Sequence, residues 1–286
     1  MVEHLAEMAK ALVRIRDGKP EVLTSPLIRF CPLRRDLYGI DEESRETVEE
    51  VIRSHIEDLG MYSSQRVLEL AEDPVSFGAS EILMDGMAEG LVDAAVLVCD
   101  GAGTVVITRP DVLQAIGAHM TGLIKTEPIA EIQDGLEQKG CILIDRHATI
   151  DQIRGFVTAI DAGFERVAVT LAGSMSSDAR DLRAIGARSG RRPFILAVHT
   201  TGISSDEAAA LAETCDIIWS CASRAVREVV GERAVLQIGV SIPVFAMTQE
   251  GKRLVLNRAL HFKGALVIHR SSLPHLHANR QPRPLI

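Results

Sequence analysis

Four apolar runs in this chain open directly into short polar segments, and those segments carry residue types that chemistry uses. Val96-Leu97-Val98-Cys99 leads into Asp100-Gly101-Ala102-Gly103-Thr104, and Ile195-Leu196-Ala197-Val198 into His199-Thr200-Thr201-Gly202. Ile217-Ile218-Trp219 leads into Ser220-Cys221-Ala222-Ser223-Arg224, and Val235-Leu236-Gln237-Ile238 into Gly239-Val240-Ser241. Asp100 and His199 are candidates for proton transfer, because carboxylate and imidazole exchange protons near neutral pH. Cys221 is the candidate nucleophile or ligand: it falls at an expected helix start, where free amides favour a thiolate, with Arg224 one turn away. Gly101, Gly103, Thr104, Thr200, Thr201, Gly202, Ser223 and Arg224 would hold an anionic group through amides, hydroxyls and charge.

Each of these residues also has a plainer role to weigh. The glycine loop at 100–104 lacks the third glycine of a dinucleotide fingerprint, that position being Val106, and Thr104-Val105-Val106-Ile107 reads as extended where a helix would have to begin. No Gly-Lys-Ser/Thr sequence supplies a nucleotide P-loop. The loop is therefore another anion or cofactor contact, or a tight structural turn. Cys221 could be a small residue packed beneath its loop, and His199 a hydrogen-bonded structural histidine. Cys99, Cys221 and His199 together have ligand chemistry suited to zinc or iron, with no local spacing to support it, so a metal stays open. Cys215 and Cys221 bracket a strand and would lie ~20 Å apart at ~3.3 Å per residue. Cys141 opens a strand on the opposite rim, and Cys31 is unplaced.

The elements that must position these residues emerge from periodicity. Residues 12–24 read as two strands around Asp17-Gly18, a hairpin dipeptide. Val48, Val51, Ile52, Ile56 and Leu59 repeat at three and four residues before Gly60, which predicts an amphipathic helix over 43–59. Shorter helices are expected over 64–72 and 78–89. From Asp93 the rhythm becomes strand, loop, helix. Strands are expected at 94–99, 141–145, 166–171, 194–198, 216–219, 234–238 and 265–269, with helices near 110–120, 150–161, 177–187, 205–213, 222–230 and 249–260. Ser204-Ser205-Asp206-Glu207 has capping-box spacing, and Pro110 stands at an expected first helical position. This alternation predicts an α/β fold: a mostly parallel, doubly wound, Rossmann-like sheet preceded by a small N-terminal β-hairpin and helical segment. The expected divisions are 1–90 for the hairpin and helices, 91–270 for the ligand-binding α/β domain, and 271–286 for a flexible tail.

Composition limits the function classes. The 286 residues are 47% hydrophobic, enough for a full core, and a formal charge of −8 without a Lys/Arg block removes the attraction that nucleic-acid binding requires. The start Met1-Val2-Glu3-His4 has no signal-peptide pattern and no apolar stretch approaches a bilayer span, so a cytoplasmic protein without membrane partners is expected. Five cysteines at irregular spacing read as thiols rather than disulfides.

Several ordered stretches together resemble the methanogenesis marker protein 8 family. They are Phe30-Cys31-Pro32-Leu33, Cys99 through Val106, Ala197 through Gly202, Cys221-Ala222-Ser223 with Arg227-Glu228, and Gln237-Ile238-Gly239 with Ile242-Pro243-Val244-Phe245-Ala246. The resemblance runs from about residue 12 to residue 268 and implies a cytoplasmic protein of methanogenic archaea tied to methane formation or a closely coupled process. It carries over no catalytic residue and no cofactor. Two functions stand as expectations. The first is binding of a small anionic ligand or cofactor precursor at the rim formed by 99–104, 199–202 and 220–224, with a place in cofactor maturation. The second, from a different class, is a non-catalytic assembly or regulatory partner of methyl-coenzyme M reductase or its activation machinery, docking through residues 1–90.

Overall fold

The computed structural model describes residues 2–119, 122–267 and 282–286. Strands β1 (Glu3–Met8), β2 (Ala11–Arg16) and β3 (Lys19–Val22) form an antiparallel meander. Its second turn is the expected Asp17-Gly18 pair, at φ of 48° and 73°. A fourth strand, β6 (Gly122–Lys125), pairs antiparallel with β1 and completes the sheet in the order β3-β2-β1-β6. Alternate residues of β1 and β2 are buried: His4, Ala6 and Met8, then Ala11, Val13 and Ile15. All but His4 pack with Val48, Val51 and Ile52 of helix α2 (Arg45–Leu59) in one apolar cluster. Ser44 and Thr47 close a reciprocal cap at the start of α2, and Gly60, at φ 63°, stops it.

The second sheet has eight strands, and it corrects the expectation of a mostly parallel, Rossmann-like arrangement. Four central strands are parallel: β4 (Ala94–Cys99), β8 (Val167–Ala172), β9 (Phe194–Val198) and β10 (Ile217–Trp219). Antiparallel pairings extend both sides: β5 (Gly103–Ile107) runs against β4 and β7 (Ile142–Leu143) against β5, while β12 (Val244–Ala246) runs against β10 and β11 (Leu236–Ile238) against β12. The reason lies at 100–104, where β4 turns straight back into β5 as a hairpin instead of crossing over through a helix. The parallel strands then succeed one another in chain order, so they contain no reversal of the kind that opens a crevice in a doubly wound sheet.

Helices cover both faces of this mixed sheet. Buried residues of α3 (Ala79–Ala88), α4 (Pro110–Gly117), α5 (Ala130–Gln138) and α9 (Gln249–His261) form one aliphatic cluster with it. On the other side, α6 (Gln152–Asp161), α7 (Ser176–Ser189) and α8 (Ser205–Thr214) contribute Phe156, Leu182 and Leu211 to a second cluster. Ser204 and Glu207 make the expected capping box at α8.

Three element expectations change. Residues 64–72 are not helical: Val67 and Leu70 donate their amides to Leu59 and Asp111, and the segment runs as an irregular strap. The helix expected over 222–230 forms over 224–233, distorted by a π turn at Val226–Val230 and closed by a 3-10 turn at Gly231–Arg233. Residues 265–267 form no strand, and 268–269 lie outside the described residues. Helix α1 (Pro32–Tyr38) is unanticipated. From the segment expected as a flexible tail, 282–286 are anchored: Phe30 and Arg283 exchange backbone hydrogen bonds, Ile286 donates to Ala222 O, and Gly202 donates to Ile286 O.

Candidate functional site

The small sheet lies over the carboxyl edge of the parallel strands, and a cleft of about 680 Å³ separates them. Its floor is the end of β4 (Leu97, Val98), β8 (Thr170 to Ala172), β9 (Val198, His199) and β10 (Trp219, Cys221). Its roof is the β1–β2 turn, Glu7 to Lys10, and the side is closed by Cys31 and α1. A polar annex of about 190 Å³ continues past His199, its polar lining being Glu7, Lys10, Ser174, Thr201 and Glu207. The ends of β4, β8, β9 and β10 border one cleft, and the covering sheet gives it walls.

Two side chains in the floor are held in backbone conformations that non-glycine residues avoid. His199 comes after β9 at φ 51° and Cys221 after β10 at φ 45°. Such left-handed residues cost about 1–3 kcal/mol each and cluster where a side chain must be aimed. His199 keeps exposed surface bordering both the cleft and its annex, yet protein crowds it on the other sides. That crowding holds its imidazole below the ordinary value, Glu7 opposing and Lys10 adding to the effect. Cys31, half-buried across the cleft, has its thiol pushed up by burial; the amides of Arg34 and Leu33 at the start of α1 oppose this, and the nearby Cys221 sulfur adds to it.

The far end of the cleft carries Tyr38, His55, His119 and Arg34. Tyr38 Oη lies 2.9 Å from His55 Nε2, and the His55 and His119 rings meet edge-on with centroids 5.5 Å apart. Burial, then the neighbouring His119, Arg34 and Arg66 charges, pushes the His55 imidazole down to about 3, with Asp100 opposing. His55 is therefore a neutral hydrogen-bonding group at physiological pH. Arg34 is already paired with Glu43, and Lys10 Nζ lies 2.8 Å from Glu7. Two buried polar atoms of cleft-lining residues have no partner among the described residues, His55 Nδ1 and Gln152 Oε1.

The expected site residues divide into two groups. His199, Thr201, Gly202 and Cys221 border the cleft or its annex. Thr200 and Ser223 lie just beneath it and serve the backbone: Thr200 Oγ1 donates to Trp219 O at 2.6 Å, and Ser223 Oγ accepts from Val226 N. Arg224 is exposed on the outer side of the turn. The 100–104 loop does not reach the cleft. Asp100 is fully buried, its Oδ1 3.1 Å from Arg66 Nε and its Oδ2 accepting the Tyr62 amide, so its carboxylate is committed to an internal ion pair. Gly101 donates to Thr126 Oγ1, Thr104 Oγ1 accepts from Asp151 N, and a Cβ on Gly103 would meet the Ala148 and Thr149 backbone at 2.4 Å. These residues build a tight structural turn. Cys99 is buried with its thiol on Asp100 O, away from His199 and Cys221, which removes the three-residue metal set considered from the sequence. Among the described residues no group of three or more His, Cys, Asp or Glu is placed to hold a metal ion.

Sequence reasoning missed the roof and the far end. Cys31 precedes Pro32, and Pro at a first helical position is a signal for α1 that places Cys31 at a helix start. His55 sits on the buried stripe of α2, where it reads as an interruption of the apolar pattern.

Among the described residues no helix is long and apolar enough to cross a membrane. The sequence model of a family described as uncharacterised proteins conserved in archaea, DUF2099, matches residues 4–260. The chain is also 34% identical, over the whole of both chains, to the uncharacterised protein MJ0054 of Methanocaldococcus jannaschii.

Proposed function

The chain belongs to the DUF2099 family of archaeal proteins, and we propose that the cleft between its two sheets binds a small organic anion. The observation that carries this reading is the pair of buried, unpartnered polar atoms on cleft-lining residues, His55 Nδ1 and Gln152 Oε1, in a cavity large enough for a metabolite. Buried polar atoms are nearly always satisfied in native proteins, so a ligand or ordered water belongs there. The mostly apolar main cleft takes the body of the ligand. In this reading its charged end enters the annex, where Lys10, Ser174 and Thr201 meet it, the carboxylates there being engaged already, Glu7 with Lys10 and Glu207 with the Ser204 cap.

In this reading His199 is the group that gives or takes a proton at the ligand, since its imidazole is open to the cleft. The resemblance to the methanogenesis marker protein 8 family supports a setting alongside methane formation, with the ligand a cofactor precursor. Unpartnered polar atoms on cleft-lining residues favour a ligand over a purely docking role on methyl-coenzyme M reductase, because a docking face needs no interior donors or acceptors.

The test is a thermal-shift screen of the purified protein against short-chain carboxylates, sulfonates and phosphate esters. At least one class should raise the melting temperature, and Lys10→Met and His199→Ala should each reduce that rise. If no class shifts the wild-type protein, the binding reading is wrong.

A further inference from the structure

His55 is a polar ring on the buried stripe of α2. It is 4% exposed, and its ring is held between Tyr38 of α1 and His119, with centroids 5.7 Å and 5.5 Å away. All three residues line the cleft. Nε2 lies 2.9 Å from Tyr38 Oη, whereas the buried Nδ1 has no partner among the described residues. Two arrangements of the protons fit that geometry. If Nε2 carried the hydrogen and gave it to the tyrosine oxygen, the tyrosine's own proton would find no acceptor among the described residues, and Nδ1 would be left as a bare lone pair. If Tyr38 gives its proton to Nε2, a single group is left over, an N–H at Nδ1. The second arrangement leaves fewer groups unsatisfied and is the favoured one. The imidazole itself stays uncharged at physiological pH, because burial holds it far below its ordinary range.

We propose that Tyr38 fixes His55 as an Nδ1–H donor to the cleft, and that the ligand is an organic acid whose far end bears an uncharged carbonyl oxygen to accept that hydrogen bond. This rests on the reading of the cleft as an anion site and names the ligand's second functional group. The charges around His55 decide against a second anionic end. Arg34 holds Glu43 through two hydrogen bonds, Nη2 to Oε2 at 3.0 Å and Nε to Oε1, and Arg66 is engaged with Asp100 and two backbone carbonyls. Asp36, on α1, adds a carboxylate to the cleft lining. A carboxylate or phosphate brought to this end would be desolvated without a counter-ion, which costs far more than desolvating a carbonyl that receives a hydrogen bond. Lys10 lines the annex as well as the main cleft, so charge is accommodated at one end and a neutral dipole at the other. Tyr38 is a positioning residue in this scheme, since it acts on the ligand through the tautomer of His55.

The tautomer is read first, without ligand, from the imidazole nitrogens of isotope-labelled histidine by NMR, with His55→Leu assigning the signals. Wild type should show Nδ1 protonated and Nε2 bare, and Tyr38→Phe should move His55 toward the Nε2–H form. A dominant Nε2–H form in the wild type overturns the inference. The ligand class is read by calorimetric titration with succinamate, glutaramate and adipamate. Each is compared with the alkyl acid of equal chain length (pentanoate, hexanoate or heptanoate) and with its parent dicarboxylate. The best amide should bind ~10-fold more tightly than either counterpart, as expected for a buried donor that is satisfied in one case only. That comparison is made on the wild-type protein and stands even where variants fold poorly. His55→Leu should abolish the preference, and His55→Asn, which keeps an N–H near the Nδ1 position, should retain part of it. Equal affinity for amide and alkyl acids, or a preference that His55→Leu leaves intact, overturns this inference while the anion site stands. Failure of every acid, amide and alkyl alike, refutes the binding reading and this inference with it.

Discussion

Replacing Asp100 by asparagine separates a structural carboxylate from a catalytic one. In the native protein Arg66 gives Nε to Asp100 and its two terminal nitrogens to the Val67 and Ala115 carbonyls, and both partners of the pair are almost completely buried. Asp100→Asn preserves the shape and leaves the guanidinium without a counter-ion in the interior, a change that costs about 3–5 kcal/mol. For a chain of this length a urea slope of about 3 kcal/mol per molar is reasonable, so the denaturation midpoint should fall by about 1–1.7 M. The assay is urea unfolding monitored by the fluorescence of Trp219, the protein's single tryptophan, which is 8% exposed at the end of β10. Below the transition, Asp100→Asn should retain the wild-type thermal response to cleft ligands. A midpoint within 0.2 M of wild type, roughly 0.6 kcal/mol at that slope, would refute the argument. Unchanged stability with lost ligand response would return Asp100 to the chemistry.

Three further perturbations probe the same structure. Because the folded imidazole of His55 is held at about 3 against an ordinary 6.5, the unfolded chain takes up its proton first as pH falls. Stability is therefore lost on acidification below about pH 6.5, by ~2 kcal/mol between pH 7 and pH 5 from this residue, and urea midpoints of His55→Gln should show a correspondingly flatter pH dependence. Gly103→Ala adds a Cβ that meets backbone at 2.4 Å at a φ of +73°, and should cost about 3 kcal/mol in thermal or urea unfolding. Deleting residues 282–286 removes the backbone pairing with Phe30 and the contacts of Ile286 to Gly202 and Ala222. Alkylation of Cys31 at pH 8 should then accelerate several-fold, and an unchanged rate would mean that this strap does not restrict the cleft.

The floor of the site was legible because buried parallel strands have a distinct sequence pattern. Ile195 to Val198 and Ile217 to Trp219 are short aliphatic runs buried on both sides, and the residues directly after them must lie on the rim. The 100–104 loop has the same local appearance and a different fate, since Val105 to Ile107 continue as an antiparallel strand; the extended character of that segment was the available signal. The roof was not legible. It joins the β1–β2 turn to β6, more than 110 residues later, and no local pattern records which strand will pair with β1. Asp100 looked free for a similar reason, its partner Arg66 being 34 residues away in a segment whose composition suggests helix.

The late arrival of β6 has a consequence for biogenesis. During synthesis β1 can pair with β2 almost at once, yet its other edge stays open until the ribosome has added Lys125, some 115 residues further on. Throughout that interval the nascent meander presents a row of unsatisfied amides and carbonyls, the kind of edge that recruits foreign strands. Production of this protein should accordingly be most vulnerable to aggregation midway through translation, and a pause placed after β6 should be better tolerated than one placed before it.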